Sequence, residues 1–344
     1  MLPHLANPWI LARIVLGIVV AALAWVSAAG ALRILAQYRD SAYADERTLQ
    51  LEQQSELLAT VLSVAFALQL VASVFTVLLS DRLAGSIRGA MCAYGVFGSN
   101  AWGATALGAS LLAAVGSTAW LAIRRVDVRL RRGSLVRTLA GGSLAVTALV
   151  TWDLAATLRY LFGLDLEVVA TCCSVFVDRT GTAERGSSAA LTTLLGQLGP
   201  ASLAGVCALL LAAWAWRRTS ALSSFAMGTV GLAAAWLAWS PIVSVIAPYV
   251  YETPDHRCPY CLLHREAWPA GPLVLGAWFV ALLLSSAAIA VSAQFARPGA
   301  RSAASDVVRR LAFSSVCAWL VLGVAGAAPA LRYRWISGTF DLFR

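Results

Sequence analysis

The stretch WGATALGASLLAAVGSTAWLAI, residues 102–123, runs directly into RRVDVRLRRGSLVR, residues 124–137. The first piece is apolar and long enough to cross a bilayer as a helix, which takes about 20 such residues. The second packs Arg124, Arg125, Arg129, Arg131, Arg132 and Arg137 into one short connection. Arginines crowded beside an apolar span mark a cytoplasmic loop. Together the two pieces predict a membrane helix and the direction in which it crosses.

Working outward, seven more apolar runs of this kind appear, at 9–32, 57–79, 138–160, 201–216, 225–248, 272–295 and 311–330. The run at 201–216 is short and the one at 138–160 carries Asp153. The whole chain is 60% hydrophobic and 12% charged, with a mean hydropathy of +0.75, well away from soluble globular composition. The predicted fold is all-α: a polytopic transmembrane bundle of about eight helices, with residues 1–344 forming one integral membrane domain in contact with lipid. The first run is read as a retained span rather than a signal peptide, because no basic residue precedes Arg13 and the run is long.

Parity from the 124–137 loop places Arg217, Arg218, Arg297, Arg301, Arg309 and Arg310 on the cytoplasmic side, with Arg33, Arg39 and Arg47. The segments 80–101, 161–200 and 249–271 then form extracytoplasmic loops, and 37–56 reads as a cytoplasmic helical arm. The net charge of +9 is explained by this topology. With no basic–aromatic stripe or nucleic-acid module, nucleic-acid binding is excluded. No phosphate-binding G-x-x-x-x-G-K-[S/T] loop is present, which argues against an ATP-driven pump within the chain.

Of seven cysteines, Cys207 and Cys317 fall inside apolar runs, where cysteine packs as a small hydrophobe. The other five, Cys92, Cys172, Cys173, Cys258 and Cys261, fall in the three loops of one side. Thiols on an oxidising face form disulfides, bind metal or react, and an odd number leaves one over.

The densest chemistry lies in His256-Arg-Cys-Pro-Tyr-Cys-Leu-Leu-His-Arg265. Pro259 predicts a short helix with Cys258 as its N-cap, where free N–H groups and the dipole end favour a thiolate. Helical spacing would set Cys258, Cys261 and Arg265 on one stripe, with His264 beside it. The Cys-x-x-Cys pair followed by arginine at the mouth of a membrane helix resembles the quinone-linked disulfide-forming DsbB family of the bacterial inner membrane, and more loosely the vitamin K epoxide reductases. The matching residues are Cys258, Cys261 and Arg265. The resemblance implies a dithiol passing electrons to quinone, Arg265 beside the quinone, a relay through Cys172 or Cys173, and a soluble thioredoxin-like partner outside the cytoplasm. The chain departs from that pattern in having twice the usual four helices, in the Pro269–Pro272 insertion, and in adjacent rather than separated loop cysteines.

Two other readings stand beside thiol exchange. His256 and His264 flank the dithiol as His-x-Cys-x-x-Cys-x-x-His, so that Cys258, Cys261, His256, His264 and Cys92 form a candidate zinc or copper site, served by a metal-carrying partner. Alternatively, a plain disulfide, such as Cys172 or Cys173 to Cys258, braces the loops. Asp153, an ionisable group inside a span, is a functional candidate by its burial cost, with water or Arg159 within its expected reach. Tryptophans near span ends, among them Trp9, Trp102, Trp268 and Trp335, read as interfacial anchors.

Overall fold

The computed structural model describes residues 7–37, 46–87, 89–130, 135–164, 187–254, 256–297, 299–340 and 342. Helix is the only regular structure among them, and eight helices are long and apolar enough to cross a membrane. In lipid this is the expected outcome, since a helix satisfies its backbone hydrogen bonds within one segment. The chain is a multi-pass membrane protein.

The helices are α1 (Pro8–Gln37), α2 (Glu46–Leu83), the short α3 (Ala93–Gly98), α4 (Gly103–Asp127), α5 (Val136–Phe162), α6 (Ser187–Arg217), α7 (Ala221–Pro241), the short α8 (Ala247–Tyr251), α9 (Ala270–Ser292) and α10 (Arg301–Ser337). They form two rings of four. In the first, α1 packs on α2 and α5, and α4 closes the ring against both. In the second, α7 packs on α6 and α9, and α10 closes it against both. The rings meet where α4 lies along α9.

Small side chains make that meeting close. Ala113 of α4 shares one buried cluster with Ala287, Ala288 and Val291 of α9, as expected where helices associate by packing rather than by expelling water. Large apolar side chains face outward instead: Trp236 is 82% exposed and Val324 71% exposed, a surface suited to lipid tails and not to water.

Three helices outrun their apolar runs because proline does not stop them. The helix predicted at 201–216 begins at Ser187 and passes through Pro200, and α10 passes through Pro329 to Ser337. Just past Pro241 the chain makes a π-turn over Ile242–Ile246 and then resumes as α8.

Buried positions on α1 recur at Ile10, Arg13, Gly17, Val20, Ala24, Ser27, Ala31 and Ile34. Arg13 therefore sits on the stripe that faces the ring interior, fully buried. Its Nη2 donates to both carboxylate oxygens of Asp153, at 3.1 and 2.9 Å, and its Nε donates to Thr76 Oγ1 at 2.7 Å. Gln69 Nε2 adds a third donor to Asp153 at 2.8 Å. Asp153 is thus held by an arginine on another helix, not by Arg159, whose guanidinium lies 4.8 Å over the Trp102 ring. A residue at Arg159, farther along the same helix, stands over Trp102 near the ring's end, whereas Arg13 shares the interior with Asp153.

Removing one member of a buried ion pair strands the other, at about 3–5 kcal/mol, whereas replacing both with apolar groups is close to neutral. Arg13→Met and Asp153→Leu alone are each expected to destabilise the bundle by about that amount, and the double variant to recover most of it. Thermal unfolding in detergent micelles measures this; equal loss in the single and double variants would contradict it.

Candidate functional site

Three cysteines converge at the bundle end opposite Arg124, Arg125, Arg217 and Arg218. Cys92 caps the N-terminus of α3, with extended backbone. Cys258 and Cys261 lie in the connection between α8 and α9. The Sγ atoms of all three lie within 4.8 Å of one another, and Cys92 Sγ is 3.1 Å from Cys258 Sγ. Cys92 belongs to the first ring and the other two to the second, so the sulfur cluster straddles the junction of the rings.

Local geometry brings them together. After α8, Glu252 turns the chain in the left-handed region at φ 53°, and the connection doubles back over the ring end. Tyr260–Leu263 form a single 3-10 turn that begins after Pro259 and carries Cys261, with Cys258 just ahead of it. Gly271 at the start of α9 lets this turn sit directly on the helix, since any Cβ there would overlap the Leu262 carbonyl. Gly103 does the same for α3: a Cβ would overlap the Phe97 carbonyl.

The walls are aromatic. Tyr251 and Tyr260 pack against the three cysteines, and the Tyr251 hydroxyl donates to the Cys261 carbonyl. Tyr260 continues onto Phe97 of the first ring, with ring centroids 5.9 Å apart. Beside it, His264 Nε2 lies 3.0 Å from Asp81 Oδ1 at the end of α2. The junction at this end is therefore made by Cys92 with Cys258, Phe97 with Tyr260 and Asp81 with His264.

The three thiols are chemically unequal. Hydrogen bonds from the Cys261 thiol, then from the Cys92 thiol, hold the Cys258 pKa well below the usual thiol range, against the opposing effect of burial. The backbone N–H groups of Cys261 and Tyr260 add to this. Cys261 moves the opposite way, raised because it donates to Cys258 and Cys92 and because it is buried. One thiolate, centred on Cys258 and fed by two thiol donors, is the stable arrangement. Burial, and then the nearby Cys258 charge, also raise the Tyr260 pKa, so that hydroxyl stays protonated.

The sequence-derived candidates fare differently. Cys258, Cys261 and Cys92 meet. The expected helix after Cys258 is one 3-10 turn capped at Pro259, and the backbone becomes extended at His264 (ψ 160°) before a second short turn at Arg265–Ala267. That break ends the expected stripe: Arg265 is exposed while the cysteines are buried. His264 turns to Asp81 rather than toward the sulfurs. His256 stacks on Tyr251 at 4.1 Å between ring centroids, its pKa lowered by burial and then by His264, and its Nε2 is buried without a hydrogen-bond partner. Cys172 and Cys173 lie outside the described residues. Cys207 and Cys317, expected as packing residues, are exposed on the lipid-facing surfaces of α6 and α10.

Asp81, Tyr251, Tyr260 and Phe97 were not singled out from sequence. Asp81 carried a usable signal, a carboxylate directly after the apolar run of α2 on the predicted cysteine side. Compared with protein-family models, curated proteins and solved structures, the chain matches none.

A depressed thiol pKa carries a definite pH signature. The stabilisation it brings is complete above the ordinary thiol value, about pH 8.5, and is lost as the pH falls toward the folded-state value. Thiolate ultraviolet absorbance in the reduced protein is expected to persist at about pH 6, where ordinary thiols are protonated, and to disappear in Cys258→Ser. Persistence in that variant would place the thiolate elsewhere.

Proposed function

We propose that this chain is a thiol–disulfide exchange protein of the bacterial inner membrane, with its cysteine site on the extracytoplasmic face. The observation that carries the reading is the central position of Cys258, 3.1 Å from Cys92 Sγ and hydrogen-bonded to the Cys261 thiol. One sulfur flanked by two others allows a disulfide to change partners without moving the backbone far.

In this reading the Cys258 thiolate attacks a disulfide of a soluble thioredoxin-like partner. A mixed disulfide forms and one partner sulfur leaves as thiolate. Cys261, after giving up its proton, attacks Cys258, so that the Cys258–Cys261 disulfide forms and the second partner sulfur is released. Two electrons and the Cys261 proton pass to the partner, and a second proton taken from water completes its dithiol. Cys92 stores the oxidised state by attacking Cys258: the Cys92–Cys258 bond forms, the Cys258–Cys261 bond breaks, and the proton lost by Cys92 goes to Cys261. A quinone is the alternative electron partner, taking two electrons and two protons to become a quinol. Cys258 is the entry sulfur because it is the shared, low-pKa one and because its residue, at 8% exposure against 0% for Cys92 and 3% for Cys261, is the least buried of the three.

One observation favours a second reading, a soft-metal protein. Three sulfurs within 4.8 Å of one another match the donor set of zinc or monovalent copper. A neutral His256 with an unpartnered Nε2 stands on the Tyr251 wall of the cluster.

Full-length protein purified without chelator or reductant, alkylated before and after mild reduction and mapped by mass spectrometry alongside metal analysis, separates the readings. Thiol exchange predicts a Cys258 disulfide to Cys92 or Cys261 that mild dithiols reverse, little bound metal, and no mixed disulfide in Cys258→Ser. Three free thiols with one zinc or copper per chain would overturn it in favour of the metal reading. A disulfide inert to mild dithiols would reduce the site to a brace.

A further inference from the structure

The lipid-facing surface of the second ring is not uniform. At the end of the bundle that holds the cysteines, a groove of about 670 Å³ opens between the connection leading into α9 and the outer face of α10. Sites for small molecules occupy about 300–1,000 Å³. The groove is therefore large enough for a ligand of that class.

Its shape follows from residue size. Small residues, Ala267 and Ala270 on one side and Ala325, Ala328 and Pro329 on the other, leave the space open, while Leu273, Leu320, Val321 and Val324 make apolar walls. Those four walls are exposed, so an apolar chain from the bilayer can lie against them. From Arg332 at one end to Leu320 at the other, the groove follows α10 for about 18 Å, at roughly 1.5 Å per residue. Half the hydrocarbon core is about 15 Å thick. The groove thus runs the depth of one leaflet. Its polar end lies at headgroup level, where the exposed Trp268 and Trp335 also stand and where the interface favours tryptophan.

The polar end carries both signs of charge. Tyr249, Glu266, Trp268 and Arg332 line it. The Tyr249 hydroxyl donates to the Phe340 carbonyl at 2.6 Å and is committed within the chain. Arg332 Nη2 lies 4.0 Å from Glu252 Oε1, with the two side chains 73% and 49% exposed. That contact is too long for a hydrogen bond and too exposed to fix either group. What the groove presents at this end is one guanidinium and one carboxylate, Arg332 and Glu266, with the Glu252 carboxylate beside the guanidinium.

We propose that this groove binds one phospholipid whose headgroup carries both a phosphate and a primary ammonium, as in phosphatidylethanolamine. Arg332 takes the phosphate, which matches the fork of a guanidinium. Glu266 accepts N–H bonds from the ammonium, and one acyl chain fills the space above Ala325 and Ala328. A headgroup with a phosphate and no cation would set unbalanced negative charge beside Glu266 and Glu252. A quaternary ammonium keeps the charge but has no N–H to give Glu266. An isoprenoid quinone would fill the apolar part and leave Glu266 facing neutral carbonyls. Ala267 packs in one cluster with Leu262, so the lipid would brace the far end of the connection that carries Cys258 and Cys261. Its binding does not rest on the thiol reading.

Native mass spectrometry of the full chain tests this, both as extracted from its membrane in mild detergent and in nanodiscs of phosphatidylethanolamine, phosphatidylglycerol and phosphatidylcholine in equal parts with identical acyl chains. One retained phosphatidylethanolamine per chain is expected, at least about threefold over either other lipid, as one exposed charge pair gives. Arg332→Gln is expected to lower retention of all three lipids about threefold. Glu266→Gln is expected to keep one lipid bound and to abolish the preference for the primary ammonium. Ala328→Trp, which fills the groove from an exposed position, is expected to release the lipid whatever its headgroup. Retention no greater than in Ala328→Trp overturns the site. A preference that survives Glu266→Gln, or that favours phosphatidylglycerol or phosphatidylcholine, overturns the headgroup assignment. An isoprenoid quinone or a second chain, retained in place of lipid and lost in Ala328→Trp, overturns the choice of occupant.

Discussion

Inside a bilayer no solvent is available to satisfy an unmade hydrogen bond, and lipid tails are as apolar as leucine, so helices hold together only through close packing and internal polar contacts. The contact on which this molecule depends is the one between α4 and α9. It is lined by alanines, it is the most extensive contact between the two rings, and it fixes how the loops at the two ends face each other. The cysteine site follows from it. Cys92 hangs from the segment leading into α4, and Cys258 and Cys261 from the segment leading into α9, so packing these two helices side by side brings the three sulfurs together.

The two rings use polar residues differently. The second is held by small residues and by serines bonded to carbonyls, and carries no buried charge among its described residues. The first encloses Arg13 and Asp153 at a cost that only mutual pairing and the hydrogen bonds of Thr76, Thr157 and Gln69 make tolerable. A separate small cavity lies at the opposite end, beside Arg124 and Asp127. A thiol site at the ring junction and a buried ion pair within one ring give the molecule two chemically distinct regions, with the aromatic contact of Phe97 between them.

Length, hydropathy and helix-terminal arginines are local properties, and the eight-helix all-α architecture was legible from them because a span is recognised by its own composition. The gathering of cysteines toward one end was legible for the same reason: counting spans assigns each loop to an end. Where sequence reading fell short, distant residues decided. The helix expected after Cys258 is a single 3-10 turn, followed by an extended His264 that meets Asp81 of the first ring and an exposed Arg265. Asp153 found Arg13 rather than Arg159 because α1 and α5 are neighbours across the ring, a fact no local pattern contains. The buried register of α1, with Arg13 in phase with Ile10, Gly17 and Val20, was the one available hint.

By itself, then, the sequence determined that eight helices are long and apolar enough to cross a membrane and that Cys92, Cys258 and Cys261 lie at one end of the bundle, because these depend on properties of single segments. Only the tertiary structure decided that Cys92 completes the Cys258–Cys261 pair, that Cys258 is the shared sulfur, and that Arg13 neutralises Asp153. Each of those is a contact between segments far apart in the chain, set by which helices pack side by side, and packing partners are chosen by the whole ensemble of surfaces rather than by any one of them.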